Sequence, residues 1–317
     1  MKGDALLARE SARDCPSNLR SMFSKLRSSG VARVAHPARR FQWTTAQVLK
    51  KAFEVHETPF DPAKEPGVVI PDYDGMHSPK EQGTELLELL KEPRPASYKP
   101  AWERKPRPTK IGESVLDYIG NTPMINCSRL VKHLGLDCQI LAKCEYYSAG
   151  GSVKDRIAFR MIREAEAAGK IKPGDTLIEP TSGNTGVGIC MAGAVLGYRV
   201  IICLPKKMSG EKVNTMARLG ATIIRTPTEA AWNAPDSHIT LSARLMKAIP
   251  NSYVLDQYKN KGNPLAHYEG TAEEIIEQTG GDFTHIVMSA GTGGTLTGTA
   301  KKIKEKLPHV KVHHRSL

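Results

Sequence analysis

The chain has 317 residues, of which 45 are lysine or arginine and 33 aspartate or glutamate, for a formal net charge of +12. That length suffices for one large domain or two modest ones, and the composition is that of a globular protein, not a fibrous one. The six cysteines (Cys15, Cys127, Cys138, Cys144, Cys190 and Cys203) form no Cys-x-x-Cys pair, so neither a zinc site nor a disulfide framework is indicated and no metal is expected. No apolar run approaches the roughly 18 residues needed to cross a bilayer, and the start lacks the apolar core of a secretory signal. A soluble cytoplasmic protein without a membrane partner is expected. The basic residues are spread along the chain with no recognisable nucleic-acid module, so the charge suits anionic small molecules better than nucleic acid.

In chain order, residues 1–40 are rich in arginine and serine, a bias that mildly resembles a mitochondrial transit peptide, although Asp4, Glu10 and Asp14 oppose that reading. Residues 57–110 are dense in proline and charge and read as a linker without a packed core, apart from a short helical run at 80–91. Residues 1–109 are therefore expected to be a largely disordered extension. From residue 110 to 317 short apolar runs alternate with longer amphipathic ones. Strands are expected at 139–143, 176–179, 199–204, 222–225, 253–255 and 285–289, and helices at 153–168, 186–196, 211–219, 238–248, 264–278 and 296–307. This alternation predicts an α/β fold with a largely parallel sheet covered on both faces.

Three segments carry chemistry. In Gly150-Gly151-Ser152-Val153-Lys154-Asp155-Arg156, Ser152 and Asp155 have capping-box spacing, which places Lys154 in the first turn of a helix. There the helix dipole opposes protonation of the amine, so Lys154 could form a Schiff base with an aldehyde. Taken alone, it reads equally as a surface lysine. Two glycine-rich segments, Thr181-Ser182-Gly183-Asn184-Thr185-Gly186 and Gly291-Thr292-Gly293-Gly294-Thr295, each follow an expected strand and open an expected helix. Free N–H groups at a helix start suit a carboxylate or phosphate, although such turns are often mere connections. Neither has Walker spacing, and the second lies too late in the chain for a dinucleotide fold.

Together these segments resemble fold-type II pyridoxal-phosphate enzymes, similar in fold to the tryptophan synthase β chain, and among them the cysteine synthase/cystathionine β-synthase family. Gly120-Asn121-Thr122-Pro123 resembles the family's opening motif, and Gly151 to Arg156 its lysine motif. Ala142-Lys143-Cys144-Glu145, Leu255-Asp256-Gln257-Tyr258-Lys259-Asn260 and Asn263-Pro264-Leu265-Ala266-His267-Tyr268 resemble the cystathionine β-synthase branch. The resemblance covers about residues 110–311 and implies two parallel-sheet subdomains and a pyridoxal 5'-phosphate cofactor. By it, Lys154 would bind the cofactor and act as base and acid, and Asn184 would meet its phenolic oxygen. Gly291, Thr292, Gly293, Gly294 and Thr295 would cradle its phosphate. Thr181, Ser182, Gly183 and Thr185 would grip the substrate carboxylate, with Gln257 and Tyr258 nearby.

The implied reaction condenses serine with homocysteine to cystathionine, on the route to cysteine, in a homodimer whose partners are small amino-acid and thiol substrates. The alternatives are a cysteine synthase using an activated serine and sulfide, or a non-catalytic fragment held by a full-length subunit. Two departures from the family pattern stand out. The chain stops at Leu317, before the family's later strands and its pyridine-nitrogen contact, so a domain incomplete at its C-terminus is expected. Cys15 lies far from His36, His56 and His77, so haem is not expected. His309, His313 and His314 read as a disordered tail, Cys144 as core and Lys206-Lys207 as a solvated loop.

Overall fold

The computed structural model describes residues 44–57, 90–91, 107–109, 111–181, 183–231 and 233–316. All of them belong to the unit Gln42–Leu317. Helix α1 (Thr45–Glu57) comes first, followed by a 3₁₀ turn at Val115–Tyr118, strand β1 (Met124–Asn126), helix α2 (Ser128–His133) and strand β2 (Leu141–Lys143). Then come α3 (Lys154–Ala167), β3 (Thr176–Pro180), α4 (Asn184–Leu196), β4 (Arg199–Pro205), α5 (Gly210–Arg218), β5 (Thr222–Thr226), α6 (His238–Ala248) and β6 (Ser252–Val254). The last part holds α7 (Gly262–Ala266), a π turn (His267–Thr271), α8 (Ala272–Thr279), β7 (His285–Ala290), α9 (Gly294–Lys306) and β8 (Lys311–Ser316).

Four strands form a parallel sheet in the order β5-β4-β3-β6, with Ile178 opposite Ile201 and Leu177 opposite both Val200 and Tyr253. Successive side chains point to opposite faces. Leu177, Val200, Ile202 and Leu204 therefore share one hydrophobic cluster with Ile157 and Met161 of α3, Val187 and Cys190 of α4, and Met216 of α5. Ile178, Ile201 and Cys203 share the other with Leu241 and Leu245 of α6 and with Val48 and Ala52 of α1. A sheet buried on both faces favours apolar residues at successive positions, which is why Val200 to Leu204 of β4 reads as a continuous apolar run. The other strands form two pairs, β7 with β8 in parallel and β1 with β2 antiparallel.

Several local readings change. Within the extension expected at 1–109, α1 contributes fully buried Val48 to the core; its start is capped reciprocally by Thr44 and Gln47 at 2.7 and 3.2 Å. The expected helix at 80–91 lies mostly outside the described residues. The single helix expected at 264–278 is interrupted by the π turn at His267–Thr271. His313 and His314, expected in a disordered tail, lie in β8, paired in register with Val287 and Met288. Among the described residues no helix is long and apolar enough to cross a membrane.

Candidate active site

Lys154 opens α3, and the chain ahead of it is tied to that helix by its own side chains. The N–H groups of Gly150 and Ser152 donate to Asp155 Oδ2 at 2.8 and 3.4 Å, while Lys154 N–H donates to Ser152 Oγ at 3.2 Å. Half of the capping box expected from the spacing is present, the bond from Ser152 N–H to Asp155; the Ser152 hydroxyl instead takes the Lys154 N–H, and the helix begins at Lys154 without a side-chain cap at Val153. Burial lowers the Lys154 amine below its ordinary value by desolvating the charged form. The start of α3 also lies against α4. A Cβ on Gly188 would stand 2.9 Å from Ala158 Cβ and 3.2 Å from Asp155 Cα, so only glycine permits this approach.

Two residues further on, Arg156 anchors a buried ionic network. It donates to Glu145 at 2.7 and 2.8 Å and to Glu274 at 2.6 and 2.8 Å. Lys143 Nζ reaches Glu274 Oε2 and the Thr122 carbonyl, both at 2.7 Å, and Asn121 N–H donates to Glu274 at 2.8 Å. Burial alone would raise the Glu274 carboxyl, but Arg156 and then Lys143 hold it down at about 2. The network is the physical content of three sequence motifs. Gly120 to Pro123, Ala142 to Glu145 and Lys154 to Arg156 meet on the single carboxylate of Glu274 in α8, which sequence reading missed.

The segment after β3 supplies the first anion-binding candidate. Thr181 is buried and its hydroxyl accepts Gly183 N–H at 3.3 Å. Asn184 is exposed at the first position of α4, where the leading N–H groups have no helical acceptor. Ser182 lies outside the described residues. Buried Thr185 donates its hydroxyl to Gln257 Oε1 at 2.7 Å, so that hydroxyl is already committed to the protein and not free for an anion. Gln257 follows β6, the neighbour of β3, and its Nε2 faces the Pro180 carbonyl at 3.5 Å. Tyr258 beside it is half-buried, and burial, with Glu179 and Asp256, raises its phenol.

The second candidate follows β7. Gly291 is exposed, Thr292, Gly293 and Gly294 are buried and Thr295 is half-buried. Gly293 precedes α9 with φ of 81°, a left-handed conformation suited to glycine. A Cβ on Gly294 would lie 1.9 Å from Asn263 Oδ1. Asn263 Nδ2 donates to Thr292 Oγ1 at 2.9 Å and to the Gln257 carbonyl at 2.8 Å. An unbroken path thus runs Thr185–Gln257–Asn263–Thr292, joining the starts of α4 and α9. Behind it, His267 Nε2 lies 3.1 Å from Thr295 Oγ1 and Nδ1 lies 2.9 Å from Thr271 Oγ1. Burial, then Arg156 and Lys154, push this imidazole well below its usual pKa, so it is neutral.

Asn263, His267 and Glu179, besides Glu274, are residues the sequence reading did not assign. The first two stand in a motif already singled out, and their signal was a polar side chain within a buried helix. Cys144 is 4 % exposed and packs in the core, and Lys206 and Lys207 are exposed, as expected. Among the described residues no His, Cys, Asp and Glu group is arranged to hold a metal. Cys15, His36 and His77, together with the side chain of His56, on which the haem reading rested, lie outside what is described.

Comparison with known proteins gives this geometry its context. Cystathionine beta-synthase from Rattus norvegicus is 56% identical over 220 residues, covering 69% of this chain and 39% of the relative. That from Saccharomyces cerevisiae is 52% identical over 205 residues, or 63% of this chain and 40% of the relative. A probable cysteine synthase from Bacillus subtilis is 43% identical over 207 residues, or 64% of this chain and 65% of the relative. The chain spans about two-fifths of the length of the cystathionine beta-synthases it matches. Among solved structures, a hydrogen sulfide-producing enzyme from Fusobacterium nucleatum matches with a TM-score of 0.57 and 37% identity, over 65% of each chain. The family described as pyridoxal-phosphate dependent enzyme matches residues 115–314, and this chain belongs to it.

Proposed function

We propose that residues 110–317 form a pyridoxal-phosphate site for β-replacement on an amino acid, of the cystathionine β-synthase type, taking serine and homocysteine to cystathionine and water. The observation that carries the reading is the path from Thr185 through Gln257 and Asn263 to Thr292, which holds two helix starts together beside a half-buried lysine. The residues fit the cofactor. Lys154 is a half-buried amine whose lowered pKa leaves more of it uncharged, and glycines at 293 and 294 bring backbone N–H groups of α9 within reach of a phosphate.

When bound, the cofactor supplies an electron sink for charge developing at the substrate α-carbon. Lys154 would hold it through the amine and would take and return the α-proton. Gly291 to Thr295 would bind its phosphate with N–H groups and threonine hydroxyls, and Asn184 its ring oxygen. Thr181, Ser182, Gly183 and the N–H groups opening α4 would bind the substrate carboxylate. Gln257 adds its Nε2, and Tyr258 bounds the same space. After the α-proton is taken, the β-hydroxyl would leave as water with a proton equivalent to the one the thiol gives up, and the thiolate sulfur would bond to the β-carbon in its place.

The first test is spectroscopic. Incubated with pyridoxal phosphate, the protein should develop a visible absorption band that Lys154→Ala abolishes; no band in the unsubstituted protein would sink the reading. The similarity to a probable cysteine synthase and to a sulfide-producing enzyme supports a second reading, in which an activated serine and sulfide are the substrates. Turnover with homocysteine against turnover with sulfide separates the two.

A further inference from the structure

Glu179 has no part in the reading above, yet it is fully buried at the site, two residues before Thr181. Each of its oxygens accepts one backbone N–H from the loop after β6: Oε2 from Asp256 at 3.0 Å and Oε1 from Gln257 at 3.1 Å. Asp256 has φ of 56°, a left-handed conformation that aspartate and asparagine adopt more readily than other residues with a side chain. Its own carboxylate accepts the N–H groups of Tyr258 and Lys259 at 3.1 and 3.3 Å. A left-handed turn is thus clamped on one side by Glu179 and on the other by Asp256 itself.

The product of the clamp is the direction of the Gln257 side chain. Its Oε1 takes the Thr185 hydroxyl at 2.7 Å, and one Nε2 hydrogen faces the Pro180 carbonyl at 3.5 Å. An amide nitrogen carries two hydrogens, and among the described residues Pro180 is the acceptor at Gln257 Nε2. The arrangement reverses the donor expected of Thr185: its hydroxyl is spent on Gln257, and the carboxamide becomes the donor for an incoming anion. A buried acid is an expensive way to hold two N–H groups. Burial, with Asp256 adding to it, pushes the Glu179 carboxyl up to about 8 against the pull of those two hydrogen bonds.

We propose that Glu179 is a positioning residue for the substrate carboxylate, fixing the backbone at Asp256 and Gln257 so that the Gln257 carboxamide, not the Thr185 hydroxyl, donates to an α-amino acid. This rests on the functional reading above. The test is a titration of the cofactor-loaded full chain with serine, following the visible spectrum, which reads amino-acid binding without turnover. Glu179→Gln should keep the cofactor band and weaken serine binding about tenfold, the equivalent of one hydrogen bond. In a Gln257→Ala background the same substitution should add nothing, because the residue through which it acts is gone.

Unchanged serine affinity in Glu179→Gln, or losses that simply add in the double variant, overturns the proposal; a general loosening of the fold would produce the additive result. Should Glu179→Gln lose the cofactor band, Glu179→Asp, which keeps the carboxyl group and shortens the arm, is read by the same two outcomes. If the unsubstituted protein shows no cofactor band, the functional reading fails and this proposal with it. If the band forms and the unsubstituted protein responds to serine, only the Glu179 assignment is at stake.

Discussion

The two anion-binding candidates hang on unequal supports. The loop at 181–186 leaves β3, every residue of which is buried, within a sheet covered on both faces. The loop at 291–295 leaves β7, where burial alternates and Val287 is 71% exposed, and β7 pairs with β8 alone among the described strands. A loop on a doubly covered sheet takes its position from the core. A loop on a two-stranded pair must be held by side chains. Here Asn263 and His267 do that, from α7 and the π turn. The difference predicts where each loop can be broken.

The largest effect should come from the sheet. Ile201 is fully buried opposite Ile178, and Ile201→Ala should cost about 2–5 kcal/mol in denaturant unfolding. The next comes from the network that ties α8, just ahead of β7, to the start of α3. Glu274 is held at about 2 in the folded chain against 4.5 for the ordinary group. Because the folded value is the lower, the stabilisation is complete above pH 4.5 and is lost as pH falls from there toward 2. The loss amounts to about 3 kcal/mol. In Glu274→Gln stability at neutral pH should drop, and this acid window should flatten in unfolding curves taken at several pH values.

Asn263→Ala should be smaller in stability and larger in function. It removes the donor to both Thr292 and the Gln257 carbonyl, at a cost of about 1–3 kcal/mol. Because the sheet does not hold the 291–295 loop, cofactor affinity, measured by titration of the visible band, should weaken by at least an order of magnitude. Serine affinity at saturating cofactor should change less. The reverse pattern would mean that the loop is held from β7 after all.

Much of this contrast could be read from the residues in advance. The sheet was legible because burial on both faces writes itself as runs such as Val200 to Leu204, and helix α6 falls at 238–248 as its periodicity indicates. The two loops were legible because a helix start that leaves N–H groups free favours glycine and threonine. What escaped was anything assembled across the chain. Arg156 and Glu274 are 118 residues apart, and no local pattern pairs them. Strand β1, three residues long and half-exposed to exposed, carries no periodicity, and in α1 the buried Val48 and Ala52 are masked by a basic, polar neighbourhood. The commitment of the Thr185 hydroxyl to Gln257 is likewise a tertiary fact, and it changes which atom can donate to a substrate.

The smallest expected effect is the sharpest test of the comparison. Val287 occupies in β7 the place that a fully buried isoleucine occupies in β3 and β4, yet 71% of its surface is open. Val287→Thr preserves shape and β-branching and exchanges a methyl for a hydroxyl. On an open face that exchange should change stability by no more than about 0.5 kcal/mol. The same exchange at a buried strand position removes a methyl from the core and places an unpaired hydroxyl there, at a cost of about 1–3 kcal/mol. A loss in that higher range for Val287→Thr would mean that the open face of β7 is covered in solution. The loop at 291–295 would then rest on a packed sheet, as the loop at 181–186 does.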